Sequence, residues 1–320
     1  MQNEDIQQAS VSARAIEKLR RDLGPVVMGA LNDPKTVDVL LNPDGTLWQE
    51  RLGERMRQIG TMTPQRADAV VKTVAGYHGK TVTRLNPLVE GELPIDGSRF
   101  AGQLPSVVEN PTFAIRKKAV AIFTLDEYVE AEIMTREQAD AIKAAVKAHK
   151  NILVIGGTGS GKTTLVNAVL HEMVVCDASE RFVILQDTSE LQCAAANKVE
   201  YHTTLEITMT LLLRTILRMR PDRIVVGEVR GPEALDMLDC WNTGHEGGAA
   251  TLHANDEHAA LIRLKGLVTR NEAAPDEIEP LIGEAVHLIV HIARTEAGRR
   301  VQGIIEIQGY ENGRYITRSL

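Results

Sequence analysis

The stretch Asn151-Ile-Leu-Val-Ile-Gly-Gly-Thr-Gly-Ser-Gly-Lys-Thr-Thr164 decides the reading of the chain. Its first five residues form a short apolar run of strand type. Leu165, Val166, Val169 and Leu170 then recur at helical spacing over residues 162–173. Between the two, Gly156, Gly161, Lys162 and Thr163 satisfy G-x-x-x-x-G-K-[ST], the phosphate-binding loop. With average residue usage the bare pattern arises by chance in roughly one chain per hundred of this length, and the flanking strand and helix make it rarer. Triphosphate oxygens are held by backbone N–H groups, so side chains must leave room. Gly156, Gly157, Gly159 and Gly161 give that room and the positive φ such a nest needs. The helix opening at Lys162 aims its free N–H groups and positive dipole end at the phosphates. The loop therefore assigns Gly156, Gly157, Thr158, Gly159, Ser160, Gly161, Lys162, Thr163 and Thr164 to binding of ATP. Lys162 reaches the β- and γ-phosphates and the Thr163 hydroxyl ligates Mg2+.

Downstream strands carry acids toward the same edge. Residues 181–186 read as a second buried strand, ending in Asp187-Thr-Ser-Glu190. Residues 224–226 read as a third, delivering Glu228 at its end. Ligands of open α/β sheets bind beyond the carboxyl ends of the strands, where an acid meets Mg2+ or the attacking water. A short strand at 199–203 and a helix at 208–219 lie between them, the helix carrying Arg214 and Arg218 on one face. After a helix at 231–241 come a glycine-rich loop, a strand of small residues and then His253. His245 and His253 are not at metal-ligand spacing, and no cysteine joins them. Residues 256–269 are helical, and 286–291 with 301–307 form a closing strand pair around the turn at 296–298.

Upstream, residues 1–9 are polar and expected to fray, and 10–23 read as an amphipathic helix with Val11, Ala15 and Leu19 on one face. A strand at 37–41, the turn Asn42-Pro-Asp-Gly45 and a return strand at 46–49 make a hairpin. A strand at 56–59 precedes a helix at 64–77 with proline in its first turn. Short strands and loops at a domain edge follow over 81–113, with Arg84, Arg99 and Arg116 among and just after them. Arg116 joins Lys117 and Lys118 in a basic cluster small enough for one phosphate. Two capping boxes, Thr124-Leu-Asp-Glu127 and Thr135-Arg-Glu-Gln138, punctuate residues 119–135, and the second opens a helix running to about 149. The expected organisation is an α/β chain: an N-terminal α/β domain at 1–118, a linker at 119–135 and the P-loop domain at 136–320.

Bulk composition narrows the function classes. The 320 residues are 43% hydrophobic, 25% charged and 3% aromatic, and so few aromatics disfavour a base-stacking surface for single strands. Residues 1–150 carry 20 basic and 20 acidic side chains; residues 151–320 carry 16 and 23, which places the whole net charge of −7 in the second half. Neither half has the basic excess of a duplex binder, and no sequence-specific nucleic-acid binding is expected. Cys176, Cys193 and Cys240 are far apart and point to neither a disulfide framework nor a zinc site, which fits a reducing cytoplasm. The start, Met1-Gln-Asn-Glu-Asp5, is unlike a signal peptide, and no run approaches the roughly 18 apolar residues of a spanning helix. Membrane association is therefore expected only through partners.

The order P-loop, strand with Asp187 and Glu190, Arg218-Met-Arg-Pro-Asp222 before Gly227-Glu-Val-Arg230, then Thr251-Leu-His-Ala-Asn255 closely resembles the secretion-superfamily traffic ATPases. These drive type II secretion, type IV pili and type IV secretion. Their P-loop, Asp box, modified Walker B and His box are matched in order over about residues 120–308. The N-terminal part is similar to the conjugal-transfer branch, in particular the Trb-type mating-pair ATPases, and the four-cysteine insert common in the type II branch is missing.

That resemblance implies a PAS-like α/β N-terminal domain joined flexibly to a RecA-like P-loop domain, in a homohexameric ring beneath the inner membrane. It implies partners among the inner-membrane type IV secretion components, including other secretion ATPases and a coupling protein. By motif position it makes Glu228 the group that positions or activates water. It places Asp187 and Glu190 in the Asp box and links His253 to the γ-phosphate. N-terminal-domain arginines reach the phosphates, Arg116 first, with Arg84 and Arg99 as weaker candidates. Where the family commonly has glutamate before the Asp-box aspartate, this chain has Gln186, which shifts the catalytic burden toward Glu228. The readings carried forward are a traffic ATPase for conjugative DNA transfer, a pilus extension or retraction motor, a RecA-like nucleic-acid motor, and a non-enzymatic nucleotide-dependent ring scaffold.

Overall fold

The computed structural model describes residues 2–52, 54–117, 122–204 and 206–320, with side chains from residue 13 onward. The chain forms two compact units, residues 1–120 and 121–320.

In the first unit, helix α1 (Gln2–Asn32) runs further in both directions than the amphipathic pattern at 10–23 implies. It is really two segments. Gly24 leaves the helix at φ 73°, and Pro25 begins the second segment, as proline's fixed φ favours at a helix start. Strands β1 (Thr36–Leu41), β2 (Thr46–Arg51) and β3 (Arg57–Thr61) form a meander whose first turn holds Gly45 at φ 83°. Helix α2 (Pro64–Tyr77) follows, then β4 (Leu88–Glu92), β5 (Arg99–Gln103) and β6 (Thr112–Arg116). All pairings are antiparallel, in the order β3-β2-β1-β6-β5-β4. The stretch 81–113 supplies β4 and β5 at one side of the sheet, and β6, which begins at its end, lies at the centre beside β1. Leu19, Leu23 and Val27 of α1 and Val70, Val71 and Val74 of α2 bury against Val39, Leu41, Phe100, Phe113 and Ile115.

Residues 118–121, the end of the expected first domain and the start of the expected linker, lie outside the described residues. The rest of that segment forms part of the second unit. Helix α3 (Leu125–Glu130) begins with its capping box made in both directions, and Leu125, Tyr128 and Met134 are buried in the core. Helix α4 (Arg136–Lys147) has the second capping box. Then come β7 (Ile152–Ile155), α5 (Lys162–Cys176), β8 (Phe182–Gln186), β9 (Lys198–His202), α6 (Met209–Ile216), β10 (Arg223–Val229), α7 (Glu233–Trp241), β11 (Ala249–Leu252), α8 (Glu257–Val268), α9 (Ile278–Ala285), β12 (Leu288–Thr295), β13 (Gly298–Glu311) and β14 (Arg314–Ser319).

The sheet order is β14-β13-β12-β7-β11-β10-β8-β9, parallel from β12 to β9 and antiparallel at β13 and β14. Successive strand residues feed opposite layers. Ile152 and Val154 join a core with α3, α4 and α5, whereas Leu153 and Ile155 join one with α6, α7, α8 and α9. Every residue of β7, β8 and β11 is buried, as in parallel strands covered on both faces.

Buried polar groups fix the register at the sheet's far edge. The Asn151 side-chain oxygen accepts from the backbone N–H of Gly247 (2.8 Å) and Gly248 (2.9 Å), and its amide donates to the Ala285 carbonyl at 2.7 Å. The fully buried Arg223 donates to Glu180, to the Gly247 carbonyl at 3.1 Å and to the Val146 carbonyl at 3.2 Å. Trp241 closes the α7 layer. It is 0% exposed and donates its indole N–H to the Ile224 carbonyl. A Cβ on Gly248 would stand 2.2 Å from its Nε1. Trp241→Ala is expected to cost about 3–5 kcal/mol through the cavity it leaves, read as a lowered denaturation midpoint.

Candidate nucleotide site

The loop after β7 has the backbone its glycines promise, with one exception. Gly156, Gly159 and Gly161 take φ of 155°, 70° and 102°. A Cβ on Gly156 would lie 2.1 Å from the Ile292 carbonyl oxygen of β12, so only glycine fits there. Gly157 neither has a positive φ nor meets anything a Cβ would touch, so the geometric need expected of it is not present. Lys162 opens α5 and is only 8% exposed. Its ammonium donates to the Gly157 carbonyl at 2.9 Å and lies 3.3 Å from Nδ1 of His253. Burial pulls this ammonium below its ordinary pKa, against the opposing pull of Glu228.

The ends of β10, β11 and β8 converge on that lysine. Nε2 of His253, just past β11, is 2.9 Å from Oε1 of Glu228. The other Glu228 oxygen accepts from Arg230, whose second amino group lies 3.3 Å from Asp187. The pairing of β10 with β11 shifts between Val226 and Val229, and the buried Thr251 hydroxyl donates to the Gly227 carbonyl at 2.6 Å, pinning this bend. Burial pushes the Glu228 carboxyl up. The hydrogen bond and charge of Arg230, with His253 and Lys162, outweigh burial and hold the group below the usual carboxylate range. Burial and the charge of Lys162 pull the His253 ring below its ordinary pKa, against the opposing pull of Glu228. The result is an ionised carboxylate beside a buried ammonium at the mouth of the glycine-rich loop.

Asp187 accepts from the Thr203 hydroxyl at 2.7 Å besides facing Arg230. Glu190 is held through its backbone: its N–H donates to the Gln186 side chain at 2.9 Å, and its carbonyl accepts from Asn167 of α5 at 3.1 Å. Gln186 also accepts from the Leu191 N–H at 2.8 Å. The residue standing in place of an acid therefore shapes the loop that carries Asp187 and Glu190. Arg230 was not singled out by sequence reasoning, although it stands two residues after Glu228, the spacing that puts both on one face of an extended strand.

Arg116 pairs with Asp38 of β1 through two hydrogen bonds of 2.9 and 3.0 Å within the first unit, and Arg99 stands opposite it on β5. Arg84 lies in the same unit, its carbonyl accepting from the Ser106 hydroxyl. His245 lies before β11, at the opposite end of that strand from His253.

The site fits a magnesium nucleotide. The Ser160 hydroxyl, inside the loop, is buried without a hydrogen-bond partner, and Thr163 is half-buried in the first turn of α5. Among the described residues no group of three His, Cys, Asp or Glu could hold a metal by itself. A Mg2+ ion at Thr163 would therefore share its ligands with the phosphates, as P-loop sites do.

A family model described as type II/IV secretion system protein matches residues 95–311. The chain is 47% identical to the conjugal transfer protein TrbB of Rhizobium radiobacter, over 95% of this chain and 94% of that protein. Its fold is similar to the Legionella pneumophila ATPase DotB, with a TM-score of 0.62, 17% identity and coverage of 85% of this chain and 77% of that one. It is likewise similar to the pilus retraction motor PilT with bound ADP, with a TM-score of 0.60, 17% identity and coverage of 87% and 80%. The matched region contains the whole loop together with Asp187, Glu228 and His253, and the chain belongs to the type II/IV secretion system protein family.

Proposed function

We propose that the chain is a Mg2+-dependent ATPase that energises conjugative DNA transfer through a type IV secretion system. The observation that carries this is the ionised Glu228 carboxylate held between Arg230 and His253 beside the buried Lys162, at the end of a glycine nest. In-line attack on a γ-phosphate needs positioning and charge neutralisation more than covalent chemistry. Lys162 leaves the Gly157 carbonyl to neutralise the β- and γ-oxygens. Glu228 orients the attacking water, and His253 stands beside Glu228 and Lys162 at the γ-phosphate end. Asp187, facing Arg230, and Glu190 close the same side of the site as Glu228. Thr163 would hold Mg2+, which would supply further charge neutralisation.

Identity of 47% along nearly the whole chain to a conjugal transfer protein supports this work over pilus retraction, for which only the fold speaks. The reading includes a PAS-like first unit, a flexible connection to the RecA-like second unit and a homohexameric ring with Arg116 reaching the phosphates. No helix among the described residues is long and apolar enough to cross a membrane. The ring works in the cytoplasm and meets the inner membrane through type IV secretion partners, other secretion ATPases and the coupling protein among them.

The test is a donor strain lacking this gene, complemented with the wild-type chain or with Lys162→Ala. The wild type is expected to restore plasmid transfer and the variant to leave it at the level of the deletion. Transfer unaffected by the deletion, with pilus dynamics lost, favours the pilus-motor reading instead.

A further inference from the structure

We infer that Arg299 is a phosphate ligand of the nucleotide site, holding the α- and β-phosphates of ATP or ADP on the flank of the loop opposite Glu228. The inference rests on the reading of the P-loop as a nucleotide site. Arg299 is the second residue of β13, directly opposite Arg294 in the hairpin with β12. Its stem leans on the last glycine of the nest: a Cβ on Gly161 would meet the Arg299 Cδ at 3.0 Å and Nε at 3.4 Å. That Nε is buried without a hydrogen-bond partner. No carboxylate engages the guanidinium among the described residues. A partly buried cation without an anion is costly, so its position beside a phosphate nest calls for an anionic ligand.

Sheet order says which part of the ligand it meets. β7 lies between β11 and β12. Glu228, Arg230, Asp187 and His253 all come from the β11, β10 and β8 side, where they surround the Lys162 ammonium and define the γ-phosphate end. A triphosphate lying across the nest must direct its adenosine end toward the other flank. That flank is formed by β12 and β13, with Arg299 against Gly161. Ser160, whose hydroxyl is also buried and unpartnered, lies within the loop between the two flanks. Because α- and β-phosphates are common to ATP and ADP, Arg299 strengthens both equally. It thereby sets how firmly product ADP is retained, unlike the γ-side residues.

The experiment is calorimetric titration of the purified full chain with Mg-ADP and Mg-ATP, for wild type, Arg299→Gln and Arg299→Lys, with melting temperatures in the absence of nucleotide. Arg299→Gln is expected to weaken both nucleotides by the same factor, about tenfold, the scale of one charge-assisted hydrogen bond. Arg299→Lys regains part of that loss. The nucleotide-free melting temperature of Arg299→Gln does not fall, since the substitution removes an unpaired cation. Three results overturn the inference: ADP affinity equal to wild type in Arg299→Gln, a loss confined to ATP, or a loss accompanied by a lower nucleotide-free melting temperature. If wild type itself binds neither nucleotide, the nucleotide reading of the P-loop falls, and this inference with it.

Discussion

Glu228→Gln is expected to leave ATP binding near wild type and to lower turnover by about 10²–10⁴-fold, the usual scale for losing a positioned acid–base group. The substitution keeps the shape and one acceptor oxygen but removes the charge. That charge is what the surrounding residues are built to maintain: Arg230 donates to the carboxylate, and Lys162 and His253 add to the pull that keeps it ionised against the cost of burial. A neutral amide cannot accept a proton from water, while the phosphate nest and Lys162 remain as they were. Phosphate-release kinetics alongside nucleotide titration separates the two effects. Turnover at the wild-type rate removes Glu228 from the mechanism and returns the burden to Asp187 or Glu190.

Lys162→Ala is expected to abolish turnover and to weaken ATP binding by about 100-fold or more, since it removes the one buried ammonium inside the nest. The fold should tolerate the change. Lys162 is mostly buried, its side-chain hydrogen bonds go to the Gly157 carbonyl and the His253 ring, and burial already pulls its pKa down. Its removal relieves a desolvated charge, so the nucleotide-free melting temperature holds or rises. ATP binding at wild-type strength in this variant would mean that the loop glycines and Arg299 carry the affinity alone.

Much of the second unit was legible because its strands are fully buried. An apolar run such as Phe182–Gln186 has one reading when turn residues bound it, and chemistry stands at its end. Both capping boxes were legible for the same local reason. What escaped depends on contacts far apart in sequence. Arg116 reads as part of a free basic cluster, yet β6 pairs with β1 and brings it to Asp38, 78 residues away. Gln186 reads as a missing acid, whereas its buried amide oxygen receives two backbone N–H groups of the following loop. Arg294, Arg299 and Arg300 look alike in sequence, and only the hairpin register selects the one that leans on Gly161. Helix α9 has only eight residues, with Pro280 and Gly283 inside, and β14 is almost wholly exposed, so neither carries a periodic signal.

The most direct test of the central claim is phosphate release by the purified wild-type chain with Mg-ATP, measured per protomer across protein concentration and beside Lys162→Ala. The ATPase reading predicts magnesium-dependent turnover that rises cooperatively as protomers assemble and is absent from the variant. Phosphate release that is missing from the wild type at every concentration, or that Lys162→Ala fails to remove, contradicts it.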